Sequence, residues 1–452
     1  MDTTDQLAGI EITTEKEELV CYSYDSSIAE PEIPRAVAWP RSQEQVVRLV
    51  KYAAEHNIAI IPRGAGTGMA GSSVPVATEC MVISFEKMRK IIDINTKNMT
   101  VVVEPGILNS TLQKELKYLG FFYPPDPASL NISTIGGNVA TNAGGPRAVK
   151  YGVTRDYVME IEAVAADGSL ITAGGRTHKR AVGYDLRNLL VGSEGTLALS
   201  TRIRLKILPM PQDVITLLIV FKDLEAAGSA VTKIISSNII PRTMELMDRL
   251  SIEAVESYKS TGLPHDAEAL LLIELDGHAA AIQKEAESVV DICSMLGGDA
   301  IVAEDEAARE RLWEARRSIS PALYRIKPSK INEDIVVPRD KVAAILKDIR
   351  QLSEESGIKI ISFGHAGDGN LHVNIMTDIN NHEEYRQGLS MVRKLFEITL
   401  GYKGSISGEH GIGITKAAYL EMEIKKKEIE LMKGIKKAFD PKGLFNPGKI
   451  FC

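Results

Sequence analysis

Pro62-Arg63-Gly64-Ala65-Gly66-Thr67-Gly68-Met69-Ala70-Gly71-Ser72-Ser73 is the stretch on which the fold turns. It follows Ile58-Ala59-Ile60-Ile61, which reads as a short buried strand. Gly66 to Gly71 matches the G-x-G-x-x-G dinucleotide fingerprint, and Glu86 lies further along. A Rossmann loop, however, opens directly into a helix whose N-terminus holds the pyrophosphate. Here Ser72-Ser73-Val74-Pro75-Val76-Ala77-Thr78 follows, with no helical period and a breaking proline. The fingerprint therefore fails, and a glycine-rich nest of backbone amides able to cradle a diphosphate remains.

Working outward, two more clusters of small residues appear. The stiff Pro124-Pro125-Asp126-Pro127-Ala128-Ser129 leads into Thr134-Ile135-Gly136-Gly137-Asn138-Val139-Ala140-Thr141-Asn142-Ala143-Gly144-Gly145-Pro146. Val191-Gly192-Ser193-Glu194-Gly195-Thr196 comes later. Three such loops point to close backbone approach to a long ligand.

Composition narrows the class. The 452 residues are 25% charged and 44% hydrophobic, with a net charge of -7, as in a soluble enzyme of two domains. That balance argues against a nucleic-acid partner. No apolar run reaches the roughly 18 residues of a membrane span, and the acidic start is not a secretory signal. Cys21, Cys80, Cys293 and Cys452 lie far apart. Free thiols in a reducing, cytoplasmic compartment are expected, with no cysteine-ligated iron–sulfur cluster in this chain.

His365 and His372 flank Ala366-Gly367-Asp368-Gly369-Asn370-Leu371. With Asp368-Gly369 as a two-residue hairpin turn, His365 pairs directly with His372 on one face. Two imidazoles so placed suit one divalent metal (Zn, Fe or Mn), with Glu409 of Ser407-Gly408-Glu409-His410-Gly411 supplying a carboxylate. Such a metal lowers a bound hydroxyl's pKa. His410 then suits a general base, and Asn374, two residues beyond His372, shares its face. Arg316, in the helical stretch Glu310–Ser318, is the choice for gripping a substrate carboxylate.

In their order, these motifs resemble the vanillyl-alcohol oxidase/p-cresol methylhydroxylase superfamily of flavoproteins. Within it they are similar to the branch of FAD-linked D-lactate dehydrogenase, glycolate oxidase D-subunit and D-2-hydroxyglutarate dehydrogenase. The order continues through Leu312–Arg316, Asp334–Pro338, Gly364–Asn374, Ser407–Gly413 and Phe445–Lys449. The resemblance implies an α+β fold: a two-subdomain FAD-binding domain over 30–210, after an N-terminal segment 1–29. A substrate cap with an antiparallel sheet and helices on one side then covers 211–404, and 405–452 returns to the flavin. It implies FAD contacts from Pro62, Arg63, Gly64, Ala65, Gly66, Thr67, Gly68, Gly71, Ser72, Pro125, Asp126 and Ser129. Further contacts come from Gly136, Gly137, Asn138, Thr141, Asn142, Gly144, Gly145, Gly192, Glu194, Gly195 and Asn446. No histidine lies between His56 and His178, and Cys80 is outside the glycine motifs, so the FAD is expected to be noncovalent.

The implied activity is dehydrogenation of a D-2-hydroxy acid, with electrons passed to an electron-transfer flavoprotein or an iron–sulfur subunit. Hydroxyglutarate-type relatives carry a lysine where this chain has Asn332, which favours a small acid, D-lactate or glycolate. A hydroxyglutarate-type enzyme, a nicotinamide-dependent dehydrogenase and a non-catalytic flavin or metal subunit are the alternatives. A homo-oligomer is compatible with all of them.

Overall fold

The computed structural model describes residues 5–76 and 79–451. Ala77, Thr78 and Cys452 of the sequence reading lie outside the described residues. The chain divides into two compact units: Met1–Gly144, Gly152–Met210 and Glu409–Cys452 form one, and Gly145–Tyr151 with Pro211–Gly408 forms the other.

The first unit begins with β1 (Glu11–Thr13), β2 (Ala36–Trp39), β3 (Ala59–Arg63) and β4 (Cys80–Ser84). They form a sheet in the order β1-β2-β4-β3, with β2, β4 and β3 parallel. The helix Gln43–His56 crosses between β2 and β3; the Ser42 hydroxyl caps it, and Asn57 ends it in the left-handed region. Its Val46, Leu49, Val50 and Ala53 are buried against β2, β3 and β4. The C-terminal stretch joins the same core, because Phe445 bridges Ile60 of β3 and is fully buried. A second sheet is antiparallel: β5 (Ile91–Asn95), β6 (Thr100–Val103), β8 (Val158–Val164), β9 (Leu170–Gly174) and β10 (Leu199–Lys206) order as β5-β6-β10-β8-β9. Separately, β7 (Phe121–Phe122) pairs with β11 (Leu208–Pro209).

The second unit is one antiparallel sheet of seven strands. They are β12 (Asp213–Phe221), β13 (Thr243–Asp248), β14 (Ala269–Gly277), β15 (Gly298–Val302), β16 (Ser329–Val336), β17 (Ile360–His365) and β18 (Asn370–Thr377), in the order β15-β12-β14-β13-β17-β18-β16. Strand alternation gives the faces different chemistry. On one face Leu217, Ile219, Phe221, Leu271, Ile273, Leu371, Val373 and Ile375 are buried, and helices including Leu224–Ser236, Ala279–Met295, Val342–Ser356 and His382–Gly401 pack there. On the other face an apolar cluster lies under the helices Arg249–Tyr258 and Glu306–Ala322, where Leu218, Met247, Leu270, Ile361 and Phe363 meet Val255, Ala315 and Ile319. That face also carries a buried polar band, and it is what positions the chemistry.

Candidate functional site

In the first unit the three small-residue loops interlock. A Cβ on Gly64 would come within 2.3 Å of the Thr134 hydroxyl, and one on Gly195 within 2.3 Å of Pro62. Gly192 and Glu194 donate their N–H groups to Val139 (2.9 Å) and Ala140 (2.8 Å) of the helix Ile135–Thr141. Asn138 Oδ1 accepts from Asn109, which also donates to the Pro125 carbonyl. Among the described residues, no backbone N–H from Ala65 to Ser73 donates to another protein group. A run of open amides lined by glycines fits an elongated anionic group such as the diphosphate of FAD. As the failed fingerprint requires, no helix follows: among the described residues the next helix after Gln43–His56 begins at Asn109.

Three of the expected flavin contacts are spent on fixing this cradle. The Arg63 guanidinium lies under Gly66 and donates to the Tyr24 carbonyl at 2.8 Å. Glu194 is buried with φ +52°; its carboxylate accepts from Ile412 N (2.8 Å), Gly413 N (2.9 Å) and the Ser72 hydroxyl. Burial raises its carboxyl above the usual range even against those donors. Asn446 Nδ2 donates to the carbonyls of Ser72 (2.8 Å) and Glu194 (2.7 Å). Glu194 and Asn446 thereby tie the nest to the C-terminal segment.

In the second unit the hairpin differs from the sequence expectation. His365 pairs with Asn370 and Phe363 with His372, around a loop of four residues, Ala366–Gly369. A two-residue primed turn of type I′ needs positive φ at both Asp368 and Gly369, and only Gly369 has it, at +85°. The Asp368 carboxylate instead accepts from Asn370 N (3.2 Å), and Gly367 N donates to the Met244 carbonyl (3.2 Å). The partner of His365 moves by two residues, which leaves the face unchanged. The imidazoles accordingly still meet, diagonally, with ring centroids 5.2 Å apart and planes at 86°. A ring nitrogen of each lies within 4.8 Å of one on the other.

Register then assembles the band. Glu245 of β13 sits opposite His365, Asp334 of β16 opposite His372, and Asn332 opposite Asn374. Glu245, Asp334 and Asn374 are fully buried, and His365 and His372 nearly so. Glu245 Oε1 accepts from His365 Nδ1 at 2.6 Å. Its Oε2 accepts from Arg316 Nε (2.9 Å) and Nη2 (2.6 Å), and that guanidinium lies 4.8 Å over the Phe363 ring. Burial alone would raise the Glu245 carboxyl, but its contacts with His365 and Arg316 overcome that and hold the carboxyl at about 2.

Asp334 accepts from Asn370 Nδ2 (2.5 Å), the Ser407 hydroxyl (3.2 Å) and Gly408 N (2.8 Å), so one carboxylate fastens both histidine-bearing motifs. Asn332 Nδ2 donates to Asn374 Oδ1 at 2.8 Å. Arg316, expected to face a substrate, is thus engaged by Glu245. Glu409 and His410 follow Gly408 directly and belong to the first unit, where the Glu409 carboxylate lies beside Gly144.

Sequence reasoning missed Glu245 and gave Asp334 no role. A signal existed, since Met244-Glu245-Leu246-Met247 and Glu333-Asp334-Ile335-Val336 set an acid inside an apolar strand.

The model for FAD linked oxidases, C-terminal domain, matches residues 210–450, and that for the FAD binding domain matches 34–174. The chain belongs to the FAD-linked oxidase family. Along 95% of its length it is 42% identical to the glycolate oxidase subunit GlcD of Bacillus subtilis, covering 92% of that protein. It is 35% identical to a D-lactate dehydrogenase of Anaerostipes hadrus (92% and 89% covered) and 33% identical to a D-2-hydroxyglutarate dehydrogenase of Stutzerimonas stutzeri (98% and 96%). Its fold is that of p-cresol methylhydroxylase, with TM-score 0.82 at 17% identity over 97% of this chain and 93% of the other. This FAD-linked oxidase is therefore an oxidoreductase of the group that acts on 2-hydroxy acids. No helix among its described residues is long and apolar enough to cross a membrane.

Proposed function

We propose that the protein oxidises a small D-2-hydroxy acid, D-lactate or glycolate, to the 2-oxo acid, using noncovalent FAD and a divalent metal held by His365, His372 and Glu409. The observation that carries this reading is the buried histidine pair, with the Glu245 carboxylate on one imidazole. The donor set suits a zinc, iron or manganese ion: the Nδ1–H of His365 is directed to a carboxylate, which leaves Nε2 with its lone pair. Glu409 is the next residue after Gly408, which Asp334 anchors. Bound FAD supplies a hydride acceptor, and a bound divalent metal supplies a Lewis acid for the substrate hydroxyl.

The chain's own groups do the rest. His410 takes the hydroxyl proton, and Arg316 grips the substrate carboxylate with N–H groups not directed at Glu245. Asn374 orients the acid. The Asn332–Asn374 amide pair offers no cation to a second carboxylate, which favours a short acid over hydroxyglutarate. Electrons leave to a partner protein in the cytoplasm, an electron-transfer flavoprotein or an iron–sulfur subunit. One fact supports this: a relative is named as a subunit.

The test is elemental analysis of His365→Ala and His372→Ala beside the parent protein. Loss of the divalent metal with retained FAD supports the reading, and a full complement in both variants contradicts it.

A further inference from the structure

Glu245 is a buried carboxylate whose two oxygens serve two different functional side chains. Oε1 takes the Nδ1 proton of His365, and Oε2 takes Nε and Nη2 of Arg316. The two oxygens are committed to different partners, so Glu245 is not free to act as ligand or base. An ionised carboxylate only accepts hydrogen bonds, so the proton on the His365 ring must be on Nδ1. That tautomer leaves the lone pair on Nε2. The imidazole plane is fixed by the same bond, by the edge-on contact with His372, and by burial to 4% exposure.

We infer that Glu245 is a positioning residue that sets the tautomer and direction of His365 for metal binding, and that it holds the Arg316 guanidinium in the same frame. This inference rests on the metal reading proposed above. Its physical content is that the ligand and the carboxylate clamp share one anchor. Arg316 comes from the helix Glu306–Ala322, while His365 ends β17. Glu245, in the middle of β13, bonds to both. A second buried acid on the same face provides the comparison. Glu274 accepts from Trp313 Nε1 (2.7 Å) and the Thr216 hydroxyl (3.0 Å), pairs with Arg242 Nε at 3.6 Å, bonds no histidine among the described residues, and is also buried, at 4% exposure against 0% for Glu245.

The experiment measures the affinity of the FAD-loaded full chain for Zn²⁺ by competition with a chromophoric chelator at fixed pH. Parent, Glu245→Gln, Glu245→Asp and Glu274→Gln proteins are compared, with flavin content and thermal unfolding as folding checks. Loss of a carboxylate behind a metal-bound histidine typically weakens binding about 10–100-fold. That loss is expected for Glu245→Gln. A similar direction is expected for Glu245→Asp, whose side chain is one methylene too short to span both partners. Glu274→Gln is expected to bind zinc like the parent.

Equal zinc affinity in the parent and in either folded Glu245 variant overturns the inference while leaving the metal reading intact. An equal loss in Glu274→Gln also overturns it, because the effect would then be general loosening of the sheet. If Glu245→Gln yields no flavin-loaded protein, the aspartate variant decides. Should the parent itself bind no zinc, the metal reading falls first, and the inference falls with it.

Discussion

Replacing Glu194 by alanine tests the cradle most severely. Its carboxylate is the acceptor for Ile412 N, Gly413 N and the Ser72 hydroxyl, all within the first unit. Deletion leaves two backbone donors without an acceptor, at about 1–3 kcal/mol each, while the hydroxyl can rotate to another partner. Part of that loss is offset, because burial already disfavours the charged carboxylate, as its raised pKa records. A net cost of about 2–4 kcal/mol follows. For a domain of this size each kcal/mol lowers the midpoint by roughly 2–4 °C, so the expected fall is about 4–16 °C. The assay is thermal unfolding of flavin-free protein followed by circular dichroism, with FAD affinity measured separately by flavin fluorescence. FAD should bind more weakly too, since the Ser72 end of the nest is released. Glu194→Gln, which keeps one acceptor oxygen, should fall between. An alanine variant that melts with the parent and retains FAD would refute the claim that this carboxylate pins the loop.

Arg316→Lys should lower kcat/KM for the hydroxy acid by about 10–150-fold, the kinetic equivalent of roughly 1.5–3 kcal/mol for a hydrogen bond to a charged group, while flavin content stays constant. Unchanged kinetics would show that the guanidinium serves only Glu245. Acid precipitation should leave all the yellow colour in the supernatant, and a coloured pellet would show a covalent link. Asp248 gives a pH signature. Burial raises its carboxyl to about 6, against an unfolded value near 4, despite hydrogen bonds from Ser251 N and Ser362 N. The folded state therefore holds the proton more tightly, and stability declines as pH rises from about 4 to about 6. Asp248→Asn keeps an acceptor for the helix cap and should flatten that decline in unfolding curves taken across the window; an unchanged slope would assign it to other groups.

Much of this architecture was legible in the residues because it depends on local rules. The proline after Ser73 excluded a Rossmann helix, and the glycine clusters located the loops that interlock around Thr134 and Pro62. β12 and β14 stand out in the sequence as apolar runs, each followed by an Ala-rich helical stretch. The hairpin register was not legible, because the choice between a two- and a four-residue loop depends on where the Asp368 side chain and the Gly367 amide find partners, the latter at Met244 of β13, far away in sequence. The same-face conclusion survived only because the shift was an even number of residues. Glu245 escaped notice for a related reason: nothing local to Met244–Met247 says that a histidine and an arginine from distant elements will close on its two oxygens. Glu194 and Asn446 were read as flavin contacts from their motifs, and the structure gives both polar partners within the protein.

The central claim is that a small D-2-hydroxy acid reduces a flavin held by this chain. It is tested most directly by recording the visible spectrum of the purified, FAD-loaded protein under anaerobic conditions as D-lactate, glycolate and D-2-hydroxyglutarate are added in separate titrations. Bleaching of the flavin band by D-lactate or glycolate, with hydroxyglutarate far less effective and NAD without effect, is the expected result. A flavin that stays oxidised with both short acids, or bleaches only with hydroxyglutarate, would contradict the account.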